Sequence, residues 1–254
     1  MLTFITIVCL VGMLVFPTLM LVFAYPVSHK IALFWSNYIT TRSARLFFAI
    51  LKLYRGFSFA GDKESKKGLP EQFLVLSNHQ SLVDIVVYLY YFAGREVRFV
   101  AKDTLGKAPM VGKMLRTQGH CFIPRKGSPA VAMRRLQKFA KRAVEKNQIP
   151  VIFPEGTRSR DGNLGQFYSA GFRRIVENAR IPVAVCALDG GYKLSRLTDI
   201  LKNLRKGEYR VKVLKVYDPP LTKDDEKKIL EESRSLIQNQ LDEWRKLPKN
   251  TPVA

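Results

Sequence analysis

The sequence predicts an α/β domain with a central, mostly parallel sheet flanked by helices, preceded by an N-terminal hydrophobic and amphipathic helical motif at a membrane. Two observations carry this prediction. From Phe73 onward, short apolar runs alternate with longer stretches of helical periodicity, the pattern of strands linked by crossover helices. Ahead of them, Met1 to Ser28 contains no Asp, Glu, Lys or Arg and is rich in Leu, Val, Ile, Phe and Met. A length of 254 residues suits one domain with a full core and an appendage, divided here into a membrane-associated helical segment, 1–54, and a domain, 55–254.

The elements follow in order. About 20 apolar residues cross a bilayer core as a helix, so the first segment is long enough. It has neither the basic start nor the small-residue cleavage site of a signal peptide, and is expected to stay on the chain. Pro17 in its middle leaves a kinked span and a re-entrant hairpin within one leaflet both open. Next, Phe34, Trp35, Phe47 and Phe48 mix with Lys30, Arg42, Arg45 and Lys52. That mixture suits a helix at the headgroup level, and equally one packed on the domain. The basic flank predicts a cytoplasmic-membrane protein whose domain lies on the cytoplasmic side.

Within the domain, strands are expected at Arg55–Phe59, Phe73–Leu76, Val97–Ala101, His120–Ile123, Val151–Phe153, Val183–Leu188 and Tyr209–Tyr217. Helices are expected at Ser81–Phe92, Ser128–Lys146, Ser169–Ala179 and Thr222–Trp244.

Charge narrows the partners. With 42 Lys+Arg against 21 Asp+Glu the formal net charge is +21, which points to lipid headgroups, nucleic acid or an acidic carrier. No zinc finger, Walker loop or RNP-like aromatic strand is present, so no nucleic acid is expected. Residues Ala132 to Val144 interleave basic and apolar side chains at helical spacing. This describes a core-facing helix with a solvated basic face, and a surface able to meet anionic lipid or an acidic acyl carrier protein. Cys9, Cys121 and Cys186 are widely spaced in apolar company and read as buried thiols in a reducing compartment. The three histidines form no metal-binding motif, so neither a metal nor another cofactor is expected.

Two short stretches carry the chemistry. Strand Phe73–Leu76 runs into Asn78-His79-Gln80-Ser81-Leu82-Val83-Asp84. Ser81 reads as an N-cap with Asp84 at the third helical position, a capping box with Asp in place of Glu. Within one helix His79 and Asp84 would point about 140° apart, so they meet only if His79 precedes the helix and folds back over its first turn. A histidine held there by a carboxylate is fixed in the tautomer that accepts a proton from a hydroxyl. The second stretch is Phe153-Pro154-Glu155-Gly156-Thr157-Arg158. Gly156 permits close backbone approach, Thr157 offers donors, and the Arg158 fork matches a phosphate. The plainer reading makes Glu155 and Arg158 an ion pair in a surface turn.

Together the two motifs resemble the glycerolipid acyltransferase family, most closely the bacterial 1-acyl-sn-glycerol-3-phosphate acyltransferases. Further matching blocks are Phe99-Val100-Ala101-Lys102, Cys121-Phe122-Ile123-Pro124-Arg125 and Ile181-Pro182-Val183, although many relatives carry Asp where this chain has Pro124. The resemblance implies His79 as general base, Asp84 as its orienting partner, Arg158, Lys102 and Arg125 around the acceptor phosphate, and Glu155, Gly156 and Thr157 at the glycerol end. It implies transfer of an acyl group from acyl carrier protein or coenzyme A to the sn-2 hydroxyl of lysophosphatidic acid, giving phosphatidic acid without an acyl-enzyme. No Gly-x-Ser-x-Gly elbow is present. The competing expectations are a related acyltransferase using glycerol-3-phosphate or another lysophospholipid, and a non-catalytic, membrane-tethered protein that binds anionic lipid or nucleic acid.

Overall fold

A helical pair precedes the sheet. In the computed structural model, which describes residues 2–52, 58–108, 110–124, 127–194 and 208–246, α1 (Leu2–Val27) is one helix and α2 (His29–Lys52) packs against it. Leu21, Ala24, Ala32 and Ala44 are buried, whereas Phe23, Val27, Ile31, Phe34 and Tyr38 are exposed. Among the described residues no helix is long and apolar enough to cross a membrane.

The inner face of α2 is tied to the domain by polar contacts. Gln118 Nε2 donates to Ser36 O (3.0 Å) and Thr40 Oγ1 (3.0 Å), and the buried Arg98 donates to Asn37 Oδ1 (3.1 Å). The reading of this second helix as packed on the domain is met on one side; the other side carries the exposed Phe34 and Tyr38.

Among the described residues seven strands form one sheet in the order β1-β7-β6-β2-β5-β3-β4. They are β1 (Ser58–Gly61), β2 (Leu74–Ser77), β3 (Val97–Lys102), β4 (Cys121–Ile123), β5 (Ile149–Ile152), β6 (Val183–Asp189) and β7 (Glu208–Tyr217). Strands β2 to β6 run parallel; β7 is antiparallel to β6, and β1 pairs parallel with β7 at the edge. The domain helices are α3 (Val83–Tyr91), α4 (Asp103–Gly106), α5 (Val111–Gln118), α6 (Pro129–Glu145), α7 (Ser169–Ala179) and α8 (Lys223–Lys246).

Alternating residues of each strand face opposite layers. Phe73 and Val75 join Val87, Tyr88, Phe99 and Tyr209 on one side, while Leu74 and Leu76 join Leu136, Phe172, Ile175 and Leu241 on the other. Because both faces are covered, β2 and β6 read as unbroken apolar runs rather than alternating ones. Truncating a residue such as Ile175 to Ala would cost about 2–5 kcal/mol.

Besides shifts of one or two residues at the ends of elements such as α3, β3, β4 and β7, the elements depart from expectation as follows. The first strand is Ser58–Gly61 rather than Arg55–Phe59, whose first three residues lie outside the described residues. Helices α4 and α5 occupy a stretch for which the sequence suggested no element. Their short length and the glycines at 106 and 112 hide the periodicity, and Gly112 is there because a Cβ would overlap the Gly106 carbonyl. Finally, β5 begins two residues earlier, at Ile149, and takes in Pro150, which lacks the N–H that a strand reading demands.

Candidate active site

The first motif lies at the carboxyl end of β2, where ligands gather in an open α/β sheet. Asn78 is buried, and its side-chain amide extends the pairing of β2 with β6: Nδ2 donates to Leu188 O (2.8 Å) and Oδ1 accepts from Leu188 N (2.9 Å). This anchor turns the chain at His79. The His79 ring stacks on Phe153 with centroids 4.1 Å apart, and its Nδ1 lies 2.6 Å from Asp84 Oδ2. His79 therefore precedes α3 and folds back over it, as the spacing demanded. A carboxylate oxygen only accepts, so Nδ1 carries the hydrogen, and in the neutral imidazole Nε2 is then the acceptor nitrogen.

Asp84 is fully buried and saturated with donors. Its Oδ2 also accepts from Gln80 N (2.7 Å) and Ser81 N (3.0 Å), and its Oδ1 accepts from the Tyr209 hydroxyl. The capping box is half as expected. Asp84 reaches back to the Ser81 amide, but the Ser81 hydroxyl accepts from Val83 N (3.2 Å) and donates to Leu194 O (3.0 Å) instead of bonding the Asp84 amide. The Ser81 carbonyl serves that amide (3.3 Å).

The second motif leaves β5 and locks onto the first. Glu155, 5% exposed, turns inward: Oε1 accepts from His79 N (2.8 Å) and Oε2 from Gly165 N (2.9 Å). Burial raises its carboxyl above the ordinary glutamate range, and the two amides oppose that rise. Ser159 N donates to His79 O (2.8 Å), so both backbone groups of His79 are held by this block. The Glu155–Arg158 ion pair of a surface turn is replaced by these inward bonds. Gly156 adopts φ +64°, a left-handed turn that leaves Thr157 and Arg158 exposed beyond it.

His79, Lys102, Gly156, Thr157 and Arg158 line one cavity of about 920 Å³. Arg160, given no role by the sequence reading, joins Lys102 and Arg158 there. The remaining wall is apolar and includes Ile85, Phe99, Leu105, Leu136 and Ile152. One cavity thus joins an imidazole, three cationic side chains and an apolar wall with room for a hydrocarbon chain. Arg125 lies outside the described residues. Among the described residues no group of three or more His, Cys, Asp or Glu side chains is placed to hold a metal ion. Tyr209 was missed: it stands far along the chain from His79, and no local pattern marks it.

Comparison with known proteins places this geometry in context. A family model described as Acyltransferase matches residues 61–189. The chain is 30% identical to a 1-acyl-sn-glycerol-3-phosphate acyltransferase of Limnanthes douglasii over 65% of this chain and 54% of that protein. It is also 30% identical to one of Helicobacter pylori, over 58% of this chain and 60% of that protein. The chain thus spans about half to three fifths of the length of these curated relatives. The crystal structure of the 1-acyl-sn-glycerophosphate (LPA) acyltransferase PlsC from Thermotoga maritima is similar in fold, with a TM-score of 0.66 at 23% identity, covering 97% of this chain and 96% of that one.

Proposed function

The chain belongs to the Acyltransferase family, and from that premise we propose that it transfers an acyl group from a thioester to the sn-2 hydroxyl of lysophosphatidic acid. The observation that carries this reading is the His79–Asp84 pair on a cavity that joins Lys102, Arg158 and Arg160 to an apolar wall. A base alone fits many reactions. A base in one cavity with cations and an apolar wall fits an alcohol that carries both a phosphate and an acyl chain, and the curated relatives are named for that acceptor.

In the proposed step, His79 Nε2 takes the proton of the acceptor hydroxyl as its oxygen bonds to the thioester carbonyl carbon. The carbon–sulfur bond then breaks, and the departing thiolate recovers the proton from the imidazolium. No acyl-enzyme forms. Asp84 keeps Nδ1 protonated and stabilises the transient imidazolium. Arg158 and Lys102, with Arg125 and Arg160, bind the phosphate, and Gly156 and Thr157 shape the glycerol end. Glu155 acts from behind, by fixing the His79 backbone.

Two further parts of the reading concern location and donor. The exposed side chains Phe23, Val27, Ile31, Phe34 and Tyr38 form an apolar surface on the first two helices, suited to a bilayer interface at the cytoplasmic membrane. Exposed Arg134, Arg135, Lys138 and Lys141 on α6 suit anionic lipid or an acidic acyl carrier protein. The test is an assay of purified protein in detergent against a panel of lysolipids and glycerol-3-phosphate, each with acyl carrier protein and coenzyme A thioesters. Phosphatidic acid formed fastest from lysophosphatidic acid is the expected result; faster acylation of glycerol-3-phosphate or of an uncharged lysolipid would overturn the acceptor assignment.

A further inference from the structure

We infer that Tyr209 is a positioning residue for the His79–Asp84 pair, holding the carboxylate in the orientation that serves the imidazole and drawing off part of its negative charge. This rests on the proposed role of His79 as base. Tyr209 stands on β7, outside the matched residues 61–189, and is fully buried. Its hydroxyl donates to Asp84 Oδ1, the oxygen turned away from His79, while Oδ2 serves His79 and the two amides of Gln80 and Ser81.

The surroundings admit little else at Oδ1. Gly191 packs its backbone over the contact: a Cβ there would meet the Tyr209 hydroxyl and would lie 2.9 Å from Asp84 Oδ1. Without Tyr209, Oδ1 would be a buried carboxylate oxygen lacking this donor; Oδ2 would stay with His79 and the two turn amides but carry more of the charge, and the carboxylate would lose the contact that fixes its far oxygen. Burial and the nearby Asp84 both push the Tyr209 hydroxyl well above the ordinary tyrosine range, so it stays a donor at any working pH.

The electronic consequence has a definite sign. A hydrogen bond at Oδ1 withdraws charge from Oδ2 and weakens its hold on the imidazolium. Losing that bond strengthens the hold, so the acid limb of the rate profile moves to higher pH. The other charged and titratable groups facing the pair are Glu155 beyond β5, Tyr88 of α3, Asp189 of β6, and Lys102, Arg158 and Arg160 around the cavity. None of them is altered by Tyr209→Phe.

The experiment compares pH profiles of kcat and kcat/KM, in detergent with lysophosphatidic acid as acceptor, for three altered proteins. Tyr209→Phe should lower kcat about 10-fold or more with KM for the acceptor little changed, and should move the acid limb upward. Replacing Tyr209 with 3,5-difluorotyrosine keeps the ring and strengthens the donor, so the limb should move the opposite way; this protein decides the matter if Tyr209→Phe does not fold. Tyr88→Phe, which removes a buried hydroxyl bonded to Ser77, should leave the limb in place. An acid limb unmoved by both changes at 209, with losses confined to melting temperature or KM, would overturn the inference. Should His79→Ala abolish turnover while the limb stays fixed, only the role of Tyr209 fails; should His79→Ala keep turnover, both fail.

Discussion

Asp84 holds four hydrogen bonds on two buried oxygens, and this sets the consequences of changing any member of the group. Asp84→Ala removes the orienting partner of His79 and the acceptor of two turn amides, so activity should fall about 10²- to 10⁴-fold. A chromogenic thiol assay alongside thermal melting separates that loss from a loss of fold. Arg158 lines the same cavity as His79, exposed and beyond the Gly156 turn. Arg158→Lys keeps the charge but loses the planar fork, so KM for lysophosphatidic acid should rise about 10-fold while monoacylglycerol, lacking the phosphate, is affected less. Equal losses on both acceptors would make Arg158 structural. The His79–Asp84 contact was legible in the sequence because it spans five residues and one strand-to-helix turn. The fate of Glu155 was not, since Glu and Arg three apart in a loop read as an ion pair until the fold brings the His79 amide to the carboxylate.

At the scale of elements, the residue just before β4 packs on β3 as a buried site whose pH dependence follows from its surroundings. His120 accepts the Phe99 amide at Nδ1 (3.0 Å) and stacks on the Phe99 ring. Burial, with Arg98 and Arg142 nearby, pushes its pKa down to about 3 from an ordinary 6.5. The unfolded chain therefore binds a proton at His120 below about 6.5 that the folded chain refuses until about 3, and stability falls as pH drops through that window. The slope from this one group approaches about 1.4 kcal/mol per pH unit in mid-window. His120→Asn, which keeps an acceptor for the Phe99 amide, should flatten that part of the profile in urea denaturation between pH 6 and 4. Strand identity was legible through apolar runs, as in Phe73–Leu76 and Val183–Leu188. The antiparallel return of β7 was not, because an apolar run carries no direction, and it is this return that delivers Tyr209 to Asp84.

For the whole molecule, the proposed reading puts an apolar helical pair and a basic domain on one bilayer. The full chain should cosediment with anionic vesicles and resist release at high salt, because apolar contact is not screened. Exchanging exposed Phe23 and Phe34 for Ser should make binding salt-sensitive; exchanging Arg134, Arg135, Lys138 and Lys141 for Gln should weaken it mainly at low salt, by on the order of 1 kcal/mol per charge. Binding unchanged in both proteins would place the membrane contact elsewhere. The charge-free leader and the net charge of +21 made this reading available from the sequence alone. The docking of α2 through Gln118 and Arg98 was hidden, since polar residues scattered over two distant segments show no common period. The central claim is that His79 is the base of an acyl transfer, and the most direct test is the single-turnover rate of phosphatidic acid formation by His79→Ala protein at saturating donor and lysophosphatidic acid. The account predicts a rate about 10²- to 10⁴-fold below that of the unaltered chain with the same melting temperature; a folded His79→Ala protein that forms phosphatidic acid at close to the unaltered rate would contradict it.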